Sequence, residues 1–447
     1  MSVAIVRASS IAGSAFPPSS KSAGHRALIC AALAALQNRD TGASCRIARL
    51  RETESAVLSD DLNATLGALA ALGVSSVWDG DALVLKAGVS PDAPAEVDCV
   101  ESGSTLRFFL PIFAALGVSA RFSGRGRLPD RPLGVYADCL PSHGAGLQFS
   151  PDGGSLPLSL SGRLTGGTYL LPGDVSSQFI SGLLLALPLC EEDSDLRLST
   201  PLESADYVHM TLQALSLAGI EIQPLPDGWR IPGGQRYRPF QTAVEGDWSQ
   251  AAFFLCADAM GSAVQVAAGA LGGEVQIGGL QLDSNQGDRA VLAILRRMGA
   301  DIQISQEIVH CRRTPLHGVE IDATQIPDLV PILAVAAAVA EGETHITGAA
   351  RLRLKESDRL AATADGLSRL GAQVEERPDG LILRGRARLR GGRVSGYQDH
   401  RIVMSMAVAA LMCEEPVEIT SAESVQKSWP SFFADYQRIG GDVHVVD

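Results

Sequence analysis

Aromatic side chains are scarce in this chain, 5% of its 447 residues, and charged side chains make up 19%. Small and aliphatic residues dominate instead, a composition suited to helices packed closely on strands. Basic residues are in the minority: 37 against 50 acidic ones leaves a net charge of −13. That balance speaks against nucleic acid or an anionic membrane surface as a partner of the whole molecule. The eight cysteines (Cys30, Cys45, Cys99, Cys139, Cys190, Cys256, Cys311 and Cys413) include no CxxC pair and no cysteine–histidine pair at zinc spacing. Reduced, buried thiols in a cytoplasmic protein are therefore expected, and no metal site. No apolar run reaches the roughly 18 residues needed to cross a bilayer. The basic-then-apolar stretch from Lys21 to Leu36 starts too deep for a signal peptide and leads into no small-residue cleavage site.

What is present is a repeat. An amphipathic run ending in glycine, followed by a short β-like stretch, occurs at Gly73, Gly146, Gly219, Gly299, Gly371 and Gly440, at intervals of 73, 73, 80, 72 and 69 residues. Glycine favours the left-handed conformation just past a helix, and the β-branched residues after it read as a strand. Each copy also holds an earlier helix that is apolar around most of its circumference: 27–36, 106–117, 179–189, 251–260, 329–340 and 402–412. Such helices belong inside a domain, and the charged later helices outside. The chain is too long for one ordinary core. Six βαβαββ units, three in each of two α/β domains, account for its length.

The residues that open these helices are unusual. Ser20-Lys21-Ser22 opens the first, Glu101 to Arg107 the second, Asp174 to Gln178 the third and Glu245 to Ser249 the fourth. Ile326-Pro327-Asp328, Lys355 to Arg359 and Asp399-His400-Arg401 follow in the second half. Ser, Thr and Asp are ordinary N-caps, worth about 1 kcal/mol each, and a cap accounts for any one cluster alone. Caps do not account for Lys21, Lys355, Arg359 and Arg401. A cation in the first turn opposes the helix dipole, at a cost of a few tenths up to about 1 kcal/mol. A bound anion removes the conflict by accepting from both the helix N–H groups and the cation. Arg131 and Lys427 lie on Gly- or Pro-flanked loops and read alone as solvated. A cap accounts for Asp328, and a local ion pair for Glu356 between Lys355 and Arg359. For His400 a structural and a chemical role weigh about equally.

Taken in order, PPSSKSAGHRALICAALA, ESGSTLRF, LPDRPLG, GDVSSQFISGLLLALPL, ESADYVHMTL, VEGDWSQAAFFL, NQGDRAVLAILRRMGA, IPDLVPILAVAAA, LRLKESDRL, YQDHRIVMSMAVAAL and SVQKSWPSFF resemble the 5-enolpyruvylshikimate-3-phosphate synthase family over essentially the whole chain. The resemblance implies a two-domain inside-out α/β barrel with three repeats per domain. One domain would be 1–19 plus 246–447, the other 20–245, with the active site in the cleft between them. The implied reaction transfers the enolpyruvyl group of phosphoenolpyruvate to the 5-hydroxyl of shikimate 3-phosphate and releases phosphate, with no cofactor.

By the same resemblance, Lys21, Gly103, Arg131, Arg359, Arg401 and Lys427 hold phosphoenolpyruvate. Ser22, Arg26, Ser176, Ser177, Ser204, Tyr207 and Lys355 hold shikimate 3-phosphate, with Gln178 between the two. Asp328 is the base for the hydroxyl and Glu356 the main proton-transfer acid, assisted by Lys21. The partners implied are the two small molecules alone, for a monomer without nucleic acid or membrane. Two other readings compete. The sister enolpyruvyl transferase acting on UDP-N-acetylglucosamine pairs its N-terminal lysine with asparagine and carries a loop cysteine; here Ser22 follows Lys21, and 121–131 holds no cysteine. A non-catalytic sensor of phosphorylated metabolites would not call for acids such as Asp328 and Glu356 beside the cations.

Overall fold

A helix that is apolar on nearly every face is stable only where other elements surround it. Among the described residues, six helices are buried in that way. The computed structural model describes residues 2–50, 57–88, 94–150, 153–267, 275–312 and 314–446. The chain divides into two compact units, Ser19–Val244 and Met1–Pro18 with Glu245–Asp447. Each has its own hydrophobic core.

In the continuous unit the helices are α1 (Lys21–Gln37), α2 (Asp60–Ala71), α3 (Gly103–Leu116), α4 (Gly134–Cys139), α5 (Ser177–Ala186) and α6 (Ala205–Leu217). The discontinuous unit contains α7 (Trp248–Met260), α8 (Ala263–Ala267), α9 (Val291–Arg297), α10 (Val330–Val339), α11 (Arg359–Arg369), α12 (His400–Ala409) and α13 (Phe432–Arg438). Helices α1, α3, α5, α7, α10 and α12 are the inner ones: α1 is buried from Gly24 to Ala35, α10 from Val330 to Ala338, and α7 and α12 throughout.

The described strands form six four-stranded sheets that share one pattern. In the sheet Ala95–Asp98, Ala120–Ser123, Leu158–Gly162, Ala145–Phe149, the first pair is parallel and the next two pairs are antiparallel. The parallel pair brackets inner helix α3, as a βαβ crossover requires. Three sheets need a strand from a distant part of the chain. Gly13–Ala15 pairs with Val275–Ile277, and Gln241–Ala243 with Ser44–Ala48. Val3–Arg7 lies between Val417–Thr420 and Asp442–Val446. The discontinuous unit is thus completed by the N-terminal residues, and the strand before each crossing leads into an inner helix of the other unit.

Helices pack closely where a side chain is missing. A Cβ on Gly182 of α5 would lie 2.3 Å from the Arg107 carbonyl oxygen of α3. That carbonyl has a second peculiarity: Pro111, four residues on, sits inside α3 and has no N–H to offer it. The Tyr136 hydroxyl fills the gap, 2.8 Å from Arg107 O, so a helix break that would leave a buried acceptor bare is repaired from α4. The glycine cap expected at Gly146 belongs to Gly144. Gly144 has φ +88° and ends the turn Pro141–His143, while Gly146 is already inside the strand Ala145–Phe149. The other five marker glycines, Gly73, Gly219, Gly299, Gly371 and Gly440, all have positive φ. Among the described residues, no helix is long and apolar enough to cross a membrane.

One buried carboxylate acts as part of the scaffold. Asp258 of α7 is fully buried and accepts from Val275 N at 3.0 Å and Cys311 N at 2.7 Å, tying the helix to two strands. Asp258→Ala leaves both amides without that acceptor and is expected to cost about 3 kcal/mol in urea unfolding. An unchanged midpoint would show that water or a backbone shift replaces it.

Candidate active site

The discontinuous unit gathers its charges at three helix starts. Arg359, the first residue of α11, is 2% exposed, and its guanidinium meets three carboxylates. Nε donates to Asp399 Oδ2 at 2.8 Å, Nη1 to Asp328 Oδ1 at 3.0 Å and Nη2 to Glu356 Oε2 at 2.8 Å. Arg401, in the first turn of α12, donates from Nη2 to Asp328 Oδ2 and to Ser249 Oγ, at 3.0 and 2.9 Å. One carboxylate, Asp328, is therefore shared by two buried arginines. Asp358 and Asp399 cap α11 and α12, accepting from Ala361 N and Arg401 N. Asp328 is not the N-cap of α10, which is Leu329. It lies in the turn Pro327–Leu329 before α10, and its oxygens go to the arginines.

The electrostatics follow from burial and charge. Burial pushes the Asp328 carboxyl up, but Arg401, Lys355 and Arg359 together outweigh it and hold the group well below the usual carboxylate range, against a smaller opposing push from Glu356. Asp399 is likewise pushed up by burial and brought below its usual value chiefly by Arg359. Burial works against the Arg359 charge, and Asp399, Glu356 and Asp328 more than restore it. Lys355 follows the turn Ala350–Leu354, half-buried, and Lys427 donates to Gln398 O at 2.7 Å. Arg351 donates to Thr324 O at 2.6 Å.

In the continuous unit, Lys21 opens α1 and Nζ lies 2.7 Å from Asp61 Oδ2 at the start of α2. One turn on, His25 Nδ1 lies 2.7 Å from Thr65 Oγ1, which is 3.0 Å from Thr105 Oγ1 on α3. Burial, with Lys21 and Arg26 beside it, holds His25 far below the usual imidazole value, so it is neutral. Arg26 is buried too, and the acceptors it reaches are neutral: the Thr211 and Ser181 hydroxyls and the Ser22 and Tyr207 carbonyls. Burial lowers its pKa to about 10, which leaves it charged at neutral pH.

At the start of α3, two guanidiniums converge on one backbone position. A Cβ on Gly103 would fall 2.6 Å from Arg131 Nη1 and 2.8 Å from Arg107 Nη1. Like charges crowded at a helix N-terminus make a seat for an anion. Arg107 Nη1 also donates to Gln178 Oε1 at 2.8 Å, and Gln178 Nε2 donates to Ser104 Oγ at 2.9 Å, which fixes the orientation of the amide. Ser176 caps α5 and Ser177 is its buried first residue. Ser204, buried with φ +53°, precedes α6, which carries Tyr207.

The structure thus brings Asp328, Glu356, Arg359 and Arg401 together, with Lys355 acting on Asp328. It brings Gly103, Arg131 and Gln178 together around Arg107, and Ser22, Arg26 and Tyr207 around the Arg26 guanidinium. Sequence reasoning placed Asp399 and Ser249 only at helix starts and gave neither them nor Asp61 or Arg107 a part in the site. Asp399 had a signal, standing two residues before Arg401 at a helix start. Arg107 had another, an arginine inside an otherwise apolar helix.

The fold is that of enolpyruvyl transferases. The chain is similar to the EPSP synthase of Acinetobacter baumannii with TM-score 0.79, 26% identity and full coverage of both chains. It resembles the enolpyruvyl transferase NikO of Streptomyces tendae in fold alone, with TM-score 0.76 and 19% identity over 100% of this chain and 98% of that one. The model of the family EPSP synthase (3-phosphoshikimate 1-carboxyvinyltransferase) matches residues 6–436. Relatives bearing the name 3-phosphoshikimate 1-carboxyvinyltransferase include one from Clostridium acetobutylicum, 42% identical over 96% of this chain and 95% of its own, and one from Clostridium perfringens (strain ATCC 13124), 39% identical over 99% of each. The chain belongs to the EPSP synthase family.

Asp328 and Asp399 lie below their unfolded value of about 3.9, so the stability they contribute is present above that pH and is lost as pH falls through their folded values. Asp328→Asn removes one of the two groups. Between roughly pH 5 and pH 3 the wild-type melting temperature should therefore fall more steeply than that of the variant. Parallel curves would mean that Asp328 is not held charged by its arginines.

Proposed function

We propose that this chain transfers the enolpyruvyl group of phosphoenolpyruvate to the 5-hydroxyl of shikimate 3-phosphate, releasing phosphate, as a step of the shikimate pathway. Family membership supports the reaction. The observation that carries it is one carboxylate, Asp328, shared by Arg359 and Arg401 with Glu356 on the same Arg359 guanidinium. Such a cluster pairs acid–base groups with the cations that two phosphorylated carboxylates require.

In this reading a proton goes to the methylene carbon of phosphoenolpyruvate, with Glu356 as the main donor and Lys21 assisting. The 5-hydroxyl attacks the cationic carbon as Asp328 takes its proton. The tetrahedral adduct then loses phosphate, and a methyl proton leaves to restore the double bond. Lys21, Gly103, Arg131, Gln178, Arg359, Arg401 and Lys427 hold phosphoenolpyruvate. Ser22, Arg26, Ser176, Ser177, Gln178, Ser204, Tyr207 and Lys355 hold shikimate 3-phosphate. Charged Arg26 among neutral acceptors and the crowded guanidiniums at Gly103 both support anion binding. A carboxylate held as low as Asp328 is a weak base. An anion on Arg401, Lys355 or Arg359 offsets their field, so substrate binding itself raises Asp328 toward a useful basicity.

The proposal includes one reaction served by both units, which close on the substrates and exclude water, in a monomer of the cytoplasm. The eight buried free thiols agree with that compartment. Small-angle scattering should show a more compact particle when both substrates are present; equal compactness with and without them refutes closure.

Phosphate release from the two substrates tests the reaction. Turnover with UDP-N-acetylglucosamine in place of shikimate 3-phosphate would favour the sister activity, and turnover with neither a sensor. Asp328→Ala is expected to bind shikimate 3-phosphate within a few-fold of wild type while kcat falls by about two orders of magnitude or more. Normal turnover in that variant removes Asp328 from the mechanism.

A further inference from the structure

Asp399 is fully buried, and both of its oxygens are occupied by protein donors. Oδ1 accepts from Arg401 N at 2.9 Å and Arg359 Nη2 at 3.3 Å. Oδ2 accepts from Ser357 Oγ at 2.9 Å and Arg359 Nε at 2.8 Å. Two donors on each oxygen fill the roughly four lone-pair sites a carboxylate offers. Asp399 is thereby a poor base or ligand for a substrate. What it does hold is the arrangement of both arginines: it caps the turn that presents Arg401 and grips the edge of Arg359 opposite Asp328. The charges facing the pair are Arg359, Arg401, Lys355, Glu356 and, 3.9 Å from Asp399 Oδ1, the His400 ring.

We infer that Asp399 is a positioning residue for enolpyruvyl transfer, balancing the Arg359 charge so that Asp328 is left with enough electron density to take the hydroxyl proton. The inference rests on the function proposed above. Its consequence is directional. Without the Asp399 charge, Arg359 leans harder on Asp328 and Glu356, and the base weakens. The cationic clamp on phosphoenolpyruvate becomes more positive at the same time. Catalysis and binding therefore move in opposite senses, which loss of a merely structural support does not produce.

The test compares steady-state phosphate release by wild type, Asp399→Asn and Ser357→Ala, with phosphoenolpyruvate varied at saturating shikimate 3-phosphate. For Asp399→Asn, kcat should fall about ten- to a hundredfold while KM for phosphoenolpyruvate stays level or falls. A raised KM, whatever kcat does, overturns the inference, as does an unchanged kcat. Ser357→Ala removes one donor that holds Asp399 Oδ2 against the Arg359 edge, so the compensation of Arg359 weakens in part, and this variant decides the matter if the asparagine variant does not fold. Its kcat should fall about two- to fivefold at unchanged KM; a raised KM at unchanged kcat overturns the inference. An inactive wild type instead refutes the functional reading itself, and the inference with it.

Discussion

A guanidinium buried without counter-charges is among the costliest groups a protein can hold, and Arg359 is buried almost completely. Its three carboxylates come from three places: the turn before α10, the segment before α11 and the cap of α12. Burying the arginine fixes these helix starts relative to one another. Asp328 is not the N-cap of α10, a position held by Leu329, and each of its oxygens accepts from an arginine. Asp399 caps α12 with one of the oxygens that hold Arg359. The proposed acid–base pair, the proposed anion clamp and the local fold are one network.

The continuous unit solves a related problem differently. Lys21 has a carboxylate partner in Asp61, but Arg26 is surrounded by hydroxyls and carbonyls, and Arg107 and Arg131 crowd the start of α3. Arg26 thus meets neutral acceptors where Arg359 meets carboxylates. In the proposed reading a substrate anion joins Arg26 and the Arg107–Arg131 pair, whereas at Arg359 and Arg401 it competes with carboxylates already in place. In that reading, binding at Arg359 and Arg401 also raises the basicity of Asp328.

Much of this was legible in the sequence. The apolar runs marked all six inner helices, five of six glycine markers were correct, and Lys21, Arg359 and Arg401 stand in first helical turns as expected. The miss at Gly146 has a local cause: Pro141 ends α4 early, and the turn that follows reaches its left-handed residue two positions sooner. The pairing of the charges was not legible. Lys21–Asp61, His25–Thr65, Thr65–Thr105 and Arg359–Asp399 are all separated by 40 residues. That is about half the repeat, because inner and outer helices alternate and successive helix starts meet. The period was visible, but no spacing rule within one helix reveals contacts between consecutive helices. The acceptors of Arg26 and Arg107 were not legible either, since the hydroxyls and carbonyls that hold them carry no sequence signal.

Protonation of the enolpyruvyl methylene, in a site where carboxylates and cations lie side by side, is the step on which the proposed mechanism turns. The most direct measurement is the reaction run in deuterium oxide, with the product's vinyl group examined by mass spectrometry and proton resonance. Addition followed by elimination passes through a methyl group holding one solvent deuteron, so the product should carry deuterium at its vinyl methylene. A product formed at normal rate with no deuterium there would contradict the mechanism and the roles given to Glu356 and Asp328.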